Sequence, residues 1–156
     1  MDARAAWLAE RLCADGLRPG DVVSSYIPTE LEPGTDRMLS AFADRGARVI
    51  VPVVVGPDAP LAWRQWPEEG PELPPEAVGE AVLVFVPALA VDRLGTRLGQ
   101  GGGHYDRSLA HAAAEAWLVA VVDDGELVDE LPREPHDRPL GWALAPSGLR
   151  SLGDGL

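Results

Sequence analysis

Hydrophobic positions along the chain alternate between helix-like and strand-like spacing. In residues 3–13 the apolar residues Ala6, Trp7, Leu8 and Leu12 recur at helical intervals, and Gly16 with Pro19 and Gly20 ends the pattern, which predicts a short first helix. Residues 21–26 are β-branched and compact enough for a strand. Thr35 can cap a helix whose apolar face is Met38, Leu39 and Phe42, with Gly46 where a C-terminal cap belongs. Residues 47–55 then read as a buried strand, completing a β-α-β unit whose nearly continuous hydrophobicity fits a parallel sheet covered on both faces. Pro52 inside that run disfavours a central placement. Residues 61–66 suggest another strand, and 67–77, rich in Pro, Glu and Gly, a loop. Residues 81–86 are the most apolar strand candidate, followed by an irregular stretch to Gly103, a helix over 104–116 and a strand over 117–122. Pro132, Pro135, Pro139 and Pro146 break the tail into loops, with one short strand near 141–144.

No internal repeat and no second composition regime appears, so residues 1–156 are expected to form a single α/β domain, a mainly parallel sheet flanked by helices. A chain of 156 residues with 46% hydrophobic composition can bury one sizeable core. Its longest apolar stretch, 81–91, is broken by Pro87 and falls well short of the ~20 residues a spanning helix needs. The opening residues lack a basic leader followed by an apolar core, so neither signal peptide nor anchor is expected, and a cytoplasmic location without membrane partners follows. Cys13, the only cysteine, excludes an intrachain disulfide framework and a cysteine zinc site, and reads as a small buried hydrophobe. The formal charge of -12 argues against nucleic acid. A polyanionic ligand requires a local reversal of sign, for which Arg93, Arg97 and Arg107 are available, together with a divalent cation.

Those arginines accompany a cluster of glycines, Gly95, Gly99, Gly101, Gly102 and Gly103, lying between a strand and a helix. Glycines can turn successive backbone N–H groups toward one point, and the following helix adds its positive end, so the segment can form an anion nest. Arg97 can add a planar fork to phosphate oxygens. Asp106, in the first helical turn, would repel such an anion unless a metal lay between them, which suggests a magnesium ligand. The plain alternative is a tight loop with Asp106 favouring its helix end through the dipole. No Gly-Lys-Ser/Thr follows, and the spacing misses the dinucleotide fingerprint, so generic nucleotide motifs do not explain the segment.

The run Val86-Pro87-Ala88-Leu89-Ala90-Val91-Asp92, then Gly95, then Arg97-Leu98-Gly99-Gln100-Gly101-Gly102-Gly103-His104-Tyr105-Asp106-Arg107, resembles the signature of the 5-formyltetrahydrofolate cyclo-ligase (methenyltetrahydrofolate synthetase) family. The likeness extends more weakly to residues 26–35 with Glu32, to Arg45-Gly46 and the strand reaching Pro52, and to Pro135-His136-Asp137. It implies a fold of the type shared with ribose-phosphate isomerases and CoA transferases, and an ATP- and magnesium-dependent ring closure on a reduced folate. It also implies that Arg97 through Tyr105 (Arg97, Leu98, Gly99, Gln100, Gly101, Gly102, Gly103, His104, Tyr105) hold ATP, with Arg97 and Tyr105 acting in catalysis. By the same resemblance Ile27, Glu32 and Gly101 to His104 contact the folate, and Asp106 and Asp137 hold magnesium. Phosphoryl transfer suits such a site, because positioning and charge neutralisation do most of the work. A monomer is expected.

Read from the residues alone, Glu32 is a loop acid just past a strand, where ligands of open α/β sheets bind, and a carboxylate suits the paired donors of an amino-pyrimidine edge. Asp137 would otherwise be a turn residue. His104, His111 and His136 match no compact zinc spacing. His104 stands where the family resemblance leads one to expect an aromatic ring, and Tyr105 keeps one. The five tryptophans read as packing, with Trp66 at a strand end the candidate for a ligand contact. The family usually begins with a further helix whose Lys and Arg reach the ATP phosphates, and this sequence is expected to lack it. A member that binds a folate or phosphorylated ligand without efficient turnover is therefore the alternative reading. A sugar-phosphate isomerase on the same fold has no feature of its own here.

Overall fold

The computed structural model describes residues 17–27, 36–67, 70–99, 103–133 and 138–153. In chain order these form β1 (Val22–Ser24), α1 (Asp36–Asp44), β2 (Arg48–Val53), β3 (Ala62–Trp66), β4 (Ala81–Pro87), β5 (Ala90–Asp92), β6 (Arg97–Leu98), α2 (His104–Ser108), β7 (Trp117–Val121), β8 (Leu127–Val128), β9 (Trp142–Ala145) and β10 (Gly148–Ser151). A seven-stranded sheet runs in the order β10-β9-β7-β4-β1-β2-β3. Its inner strands pair in parallel, and antiparallel β3 and β10 close the edges.

Side chains of the inner strands alternate between two layers, as a pleated sheet covered on both faces requires. Val84, Val86, Leu118 and Ala120 pack on one side with Val78 and Leu109. Leu83, Phe85, Val119 and Val121 pack on the other, beneath Met38, Leu39 and Phe42 of α1. Phe42 and Phe85 stack at 5.5 Å between centroids, fixing how α1 lies on the sheet. That helix ends where expected: Gly46 adopts φ +85, and the amides of Gly46 and Ala47 reach back to the carbonyls of Ala43 and Phe42 at 2.9 and 3.1 Å. Pro52 is accommodated because β2 pairs with β1 only as far as Ile50; beyond it the strand faces antiparallel β3.

Three expectations need correction. The stretch between β4 and Gly103 is not irregular: β5 and β6 form a second, three-stranded sheet with β8. The helix expected over 104–116 stops at Ser108 and passes through one 3₁₀ turn, Leu109–His111. Ala112 is extended, and the carbonyls of Leu109, Ala112 and Ala113 accept from the Arg138 guanidinium at 2.9, 2.8 and 2.6 Å, with only i→i+3 amide bonds from Ala112 to Leu109 and from Ala116 to Ala113 beside them, both at 3.2 Å. The proline-rich tail folds back as the hairpin of β9 and β10. The expected first helix and the Thr35 cap lie outside the described residues. No helix among the described residues is long and apolar enough to cross a membrane.

Candidate functional site

β1 has β2 on one side and β4 on the other, so the chain reverses its direction of winding at β1. Open α/β sheets bind ligands in the crevice at such a point, beyond the strands' carboxyl ends. A cleft of about 390 Å³ lies there. Tyr26 and Ile27 enter it after β1, Pro52 and Val54 from the end of β2, and Pro87, Ala88 and Leu89 after β4. Leu61 lies beside them, and Arg97, Leu98, Gly99, Gly103, His104, Tyr105 and Asp106 complete the wall. The rim is apolar: Ile27, Val54 and Leu98 are 61%, 66% and 47% exposed.

The small sheet delivers Arg97 to this cleft. Asp92, 1% exposed, accepts hydrogen bonds from the amides of Leu94, Thr96 and Leu131 at 3.0, 2.9 and 2.9 Å, which fixes the turn between β5 and β6. Gly95 closes that turn at φ +90 against the Leu140 carbonyl, where a Cβ has no room. Arg97 then folds inward with only 9% of its side chain exposed. Its Nη1 donates to the Pro87 carbonyl at 3.1 Å, and its fork lies 5.6 Å from the Tyr105 ring centroid. Arg97 Nη2 is 3.4 Å from Asp106 Oδ1, and Arg97 Nε is buried without a hydrogen-bond partner among the described residues. Gly99 makes room for this arrangement, since a Cβ there would stand 2.6 Å from Arg97 Nη1.

Gly103 enters α2 at φ +69, setting Asp106 in the first turn with its side chain 48% exposed. A contact of 3.4 Å is long for a charge-assisted bond, and although Arg97 is nearly buried, about half of the Asp106 side chain stays open to solvent. Asp106 is therefore accessible to a second cation. A hard, accessible carboxylate beside Arg97, Gly99 and Gly103 is the kind of group magnesium takes, since that ion keeps several waters and uses one or two protein carboxylates.

Ile27, Arg97, Leu98, Gly99, Gly103, His104, Tyr105 and Asp106 are thus brought to one cleft. Glu32, Gln100, Gly101, Gly102, Asp137 and His136 lie outside the described residues. Of the arginines expected to reverse the local sign, Arg97 alone lines the cleft; Arg93 is exposed on the turn between β5 and β6, and Arg107 faces Asp58 at 3.8 Å. Trp66 is also away from the site. Antiparallel pairing puts the start of β3 near the cleft and Trp66 opposite Val49, against the core. Among the described residues no three His, Cys, Asp or Glu side chains lie together as a cluster. Val54 and Leu89 were not singled out from sequence, although an apolar residue just past a strand's carboxyl end is the available signal. Asp92, Ser108 and Arg138 act through hydrogen bonds distant in sequence, which no local pattern announces.

A model of the 5-formyltetrahydrofolate cyclo-ligase family matches residues 3–146. The 5-formyltetrahydrofolate cyclo-ligase of Mycolicibacterium smegmatis is 45% identical over 144 residues, covering 81% of this chain and 74% of that protein. That of Haemophilus influenzae is 35% identical over 88 residues, covering 54% and 47%. The solved 5,10-methenyltetrahydrofolate synthetase of Mycoplasma pneumoniae superposes with a TM-score of 0.75 at 18% identity, over 91% of this chain and 82% of that one. At that identity the structural likeness speaks for the fold, whereas the family match over most of the sequence decides the lineage. The chain belongs to the 5-formyltetrahydrofolate cyclo-ligase family.

Proposed function

We infer that the chain converts 5-formyltetrahydrofolate to 5,10-methenyltetrahydrofolate, consuming ATP and releasing ADP and phosphate. The observation that carries this reading is the convergence of Arg97, Gly99, Gly103, Tyr105 and Asp106 with the apolar Ile27 and Leu98 on one cleft at the sheet's switch point. The cleft pairs an anion-holding side with a side that can take aromatic rings.

In this reaction the formyl oxygen takes the γ-phosphoryl group from ATP. N10 then bonds to the formyl carbon and loses its proton, and phosphate departs with the former formyl oxygen. No nucleophilic side chain is needed. The protein's task is to align the groups and oppose the charge that moves between oxygens. Arg97 is poised for this: its Nε has no partner among the described residues, and its loose contact with Asp106 frees a second donor for a phosphate oxygen. The Tyr105 ring packs against the fork and keeps its orientation. Residues 97 to 105, including Gln100, Gly101 and Gly102, would hold the nucleotide. Ile27, Glu32 and Gly101 to His104 would contact the folate, Glu32 at the pterin edge. Asp106 and Asp137 would hold magnesium, which when bound supplies charge neutralisation among the phosphate oxygens. The return from edge strand β3 to β4 on the far side of β1 supports assigning the domain to the type shared with ribose-phosphate isomerases and CoA transferases, and residues 1–156 are read as one such domain. A cytoplasmic monomer without nucleic-acid or membrane partners completes the proposal, the charge of -12 opposing the first of these.

The test is direct. Protein incubated with magnesium, ATP and 5-formyltetrahydrofolate should form the methenyl product and ADP in equal amounts, and chelation of magnesium should stop both. Folate binding without magnesium-dependent ATP consumption would instead identify a binding protein.

A further inference from the structure

We propose that His104 is a positioning residue that latches the loop between β2 and β3 onto α2, and so holds the folate side of the cleft in register with the phosphate side. The loop contributes Val54 and Leu61 to the cleft wall. Between them it is largely exposed, with Val54 and Val55 at 66% and 58%, so packing alone does not fix it. Its return toward β3 is fixed at two consecutive polar points. His104 Nδ1 lies 3.1 Å from the Ala59 carbonyl oxygen. The Leu61 amide donates to Ser108 Oγ at 2.8 Å, and that hydroxyl donates to the His104 carbonyl at 2.7 Å. Ser108 is 1% exposed, so its bonds serve the buried architecture, whereas His104 belongs to the cleft wall.

The chemistry assigns the ring's role. A carbonyl oxygen only accepts, so Nδ1 must carry the hydrogen, and the neutral ring is held in the Nδ1–H tautomer. A phenyl ring in this place could pack on a ligand but could not donate to Ala59. The donor ties the first residue of α2, next to Gly103 and two residues before Asp106, to the chain that carries Val54. A nucleotide bound against Gly103 and the start of α2 would therefore be felt on the folate wall through this bond. The proposal depends on the cyclo-ligase reading only for the identity of the ligands, since the latch exists in the ligand-free protein.

Two substitutions separate the donor from the ring. His104→Phe keeps a ring and removes the donor, while His104→Asn removes the ring and can put an amide N–H near the Nδ1 position. With the latch, His104→Phe raises the KM for 5-formyltetrahydrofolate ~3- to 10-fold, the range for one lost hydrogen bond, with a smaller change in the KM for ATP. His104→Asn recovers the folate KM. Hydrogen exchange of the 54–61 segment in the ligand-free protein accelerates in His104→Phe and returns toward wild type in His104→Asn. The opposite kinetic order, with His104→Phe binding folate at least as well as wild type and His104→Asn weakly, shows that the ring suffices without the donor and overturns the proposal. Unchanged exchange in His104→Phe overturns it as well. If His104→Phe does not fold, His104→Leu takes its place in both measurements. Should wild type form no methenyl product, the enzymatic reading fails by itself, and the exchange comparison still decides the latch.

Discussion

Gly99→Ala is expected to damage catalysis while leaving the fold nearly intact. The added Cβ would stand 2.6 Å from Arg97 Nη1 and 3.2 Å from Cζ. Relief from 2.6 Å to an ordinary contact of 3.4 Å requires a shift of about 0.8 Å. The atoms that must move are the far end of a flexible side chain, and Gly99 is not in the left-handed region, so the stability cost is small, ~1 kcal/mol or less. The consequence for position is large, because the Pro87 carbonyl and the Tyr105 ring hold the guanidinium from other sides. A misplacement of about 1 Å can cost ~10²-fold in rate, and removal of one charge-stabilising donor ~10²- to 10³-fold. We expect kcat to fall ~10- to 100-fold in Gly99→Ala and ~10²- to 10³-fold in Arg97→Ala. If Gly99 acts through Arg97, the double variant is no worse than Arg97→Ala, a non-additivity that a double-mutant cycle measures. Thermal midpoints taken alongside separate damage to the fold from damage to the site. Additive losses, or a Gly99→Ala enzyme with wild-type kcat, would refute the inference that Gly99 exists to seat the arginine.

Three further outcomes follow from the same contacts. Asp106→Asn should shift the magnesium dependence of the rate to higher concentration by ~10-fold or more with a thermal midpoint near wild type, because the pair it loses with Arg97 is long and half exposed. Asp92→Ala leaves the amides of Leu94, Thr96 and Leu131 without their acceptor; urea unfolding should register a loss of ~3 kcal/mol or more. Arg138→Ala removes the donors to the carbonyls of Leu109, Ala112 and Ala113, and the same measurement should register ~1–3 kcal/mol.

The parallel core could be read in advance because strands buried on both faces must be apolar throughout, and residues 81–86 and 117–122 have that composition. Met38, Leu39 and Phe42 were equally legible, since one face of a short helix can satisfy only one stripe. What local pattern could not convey was any element stabilised by distant partners. β5 and β6 are short, and their hairpin depends on Asp92 accepting from Leu131 and on Gly95 meeting Leu140. The truncation of α2 depends on Arg138, which sits far along the chain. The strand expected near 141–144 is present as Trp142–Ala145 because the tail's prolines flank it, whereas its hairpin partner β10 and the stacking of Trp142 on Trp117 at 4.8 Å had no local signal. The glycine cluster suggested an anion site, but the arginines counted with it do not converge. Only Arg97 turns inward, because only its position on β6 faces the Pro87 carbonyl and Tyr105.

These long-range bonds give the side of the cleft proposed for phosphate a rigid frame. Arg97 lies just after the turn that Asp92 organises, and that turn is joined to Leu131 and, through the Gly95 carbonyl at 2.9 Å, to the Leu140 amide. Arg138 joins the same stretch of chain to the end of the helical segment that begins with His104 and carries Asp106. Arg97, Asp106 and Arg138 are therefore tied into one frame that does not depend on the central sheet's own hydrogen bonds. Preorganisation of this kind matters for phosphoryl transfer, where charges fixed before the reaction need not be rearranged during it. The side proposed for the folate has a different character, being built from apolar residues at strand ends and an exposed loop. It can adjust to a large ring system while the charged side stays fixed, and His104 and Ser108, together with the exposed Arg107–Asp58 pair, join the loop to α2.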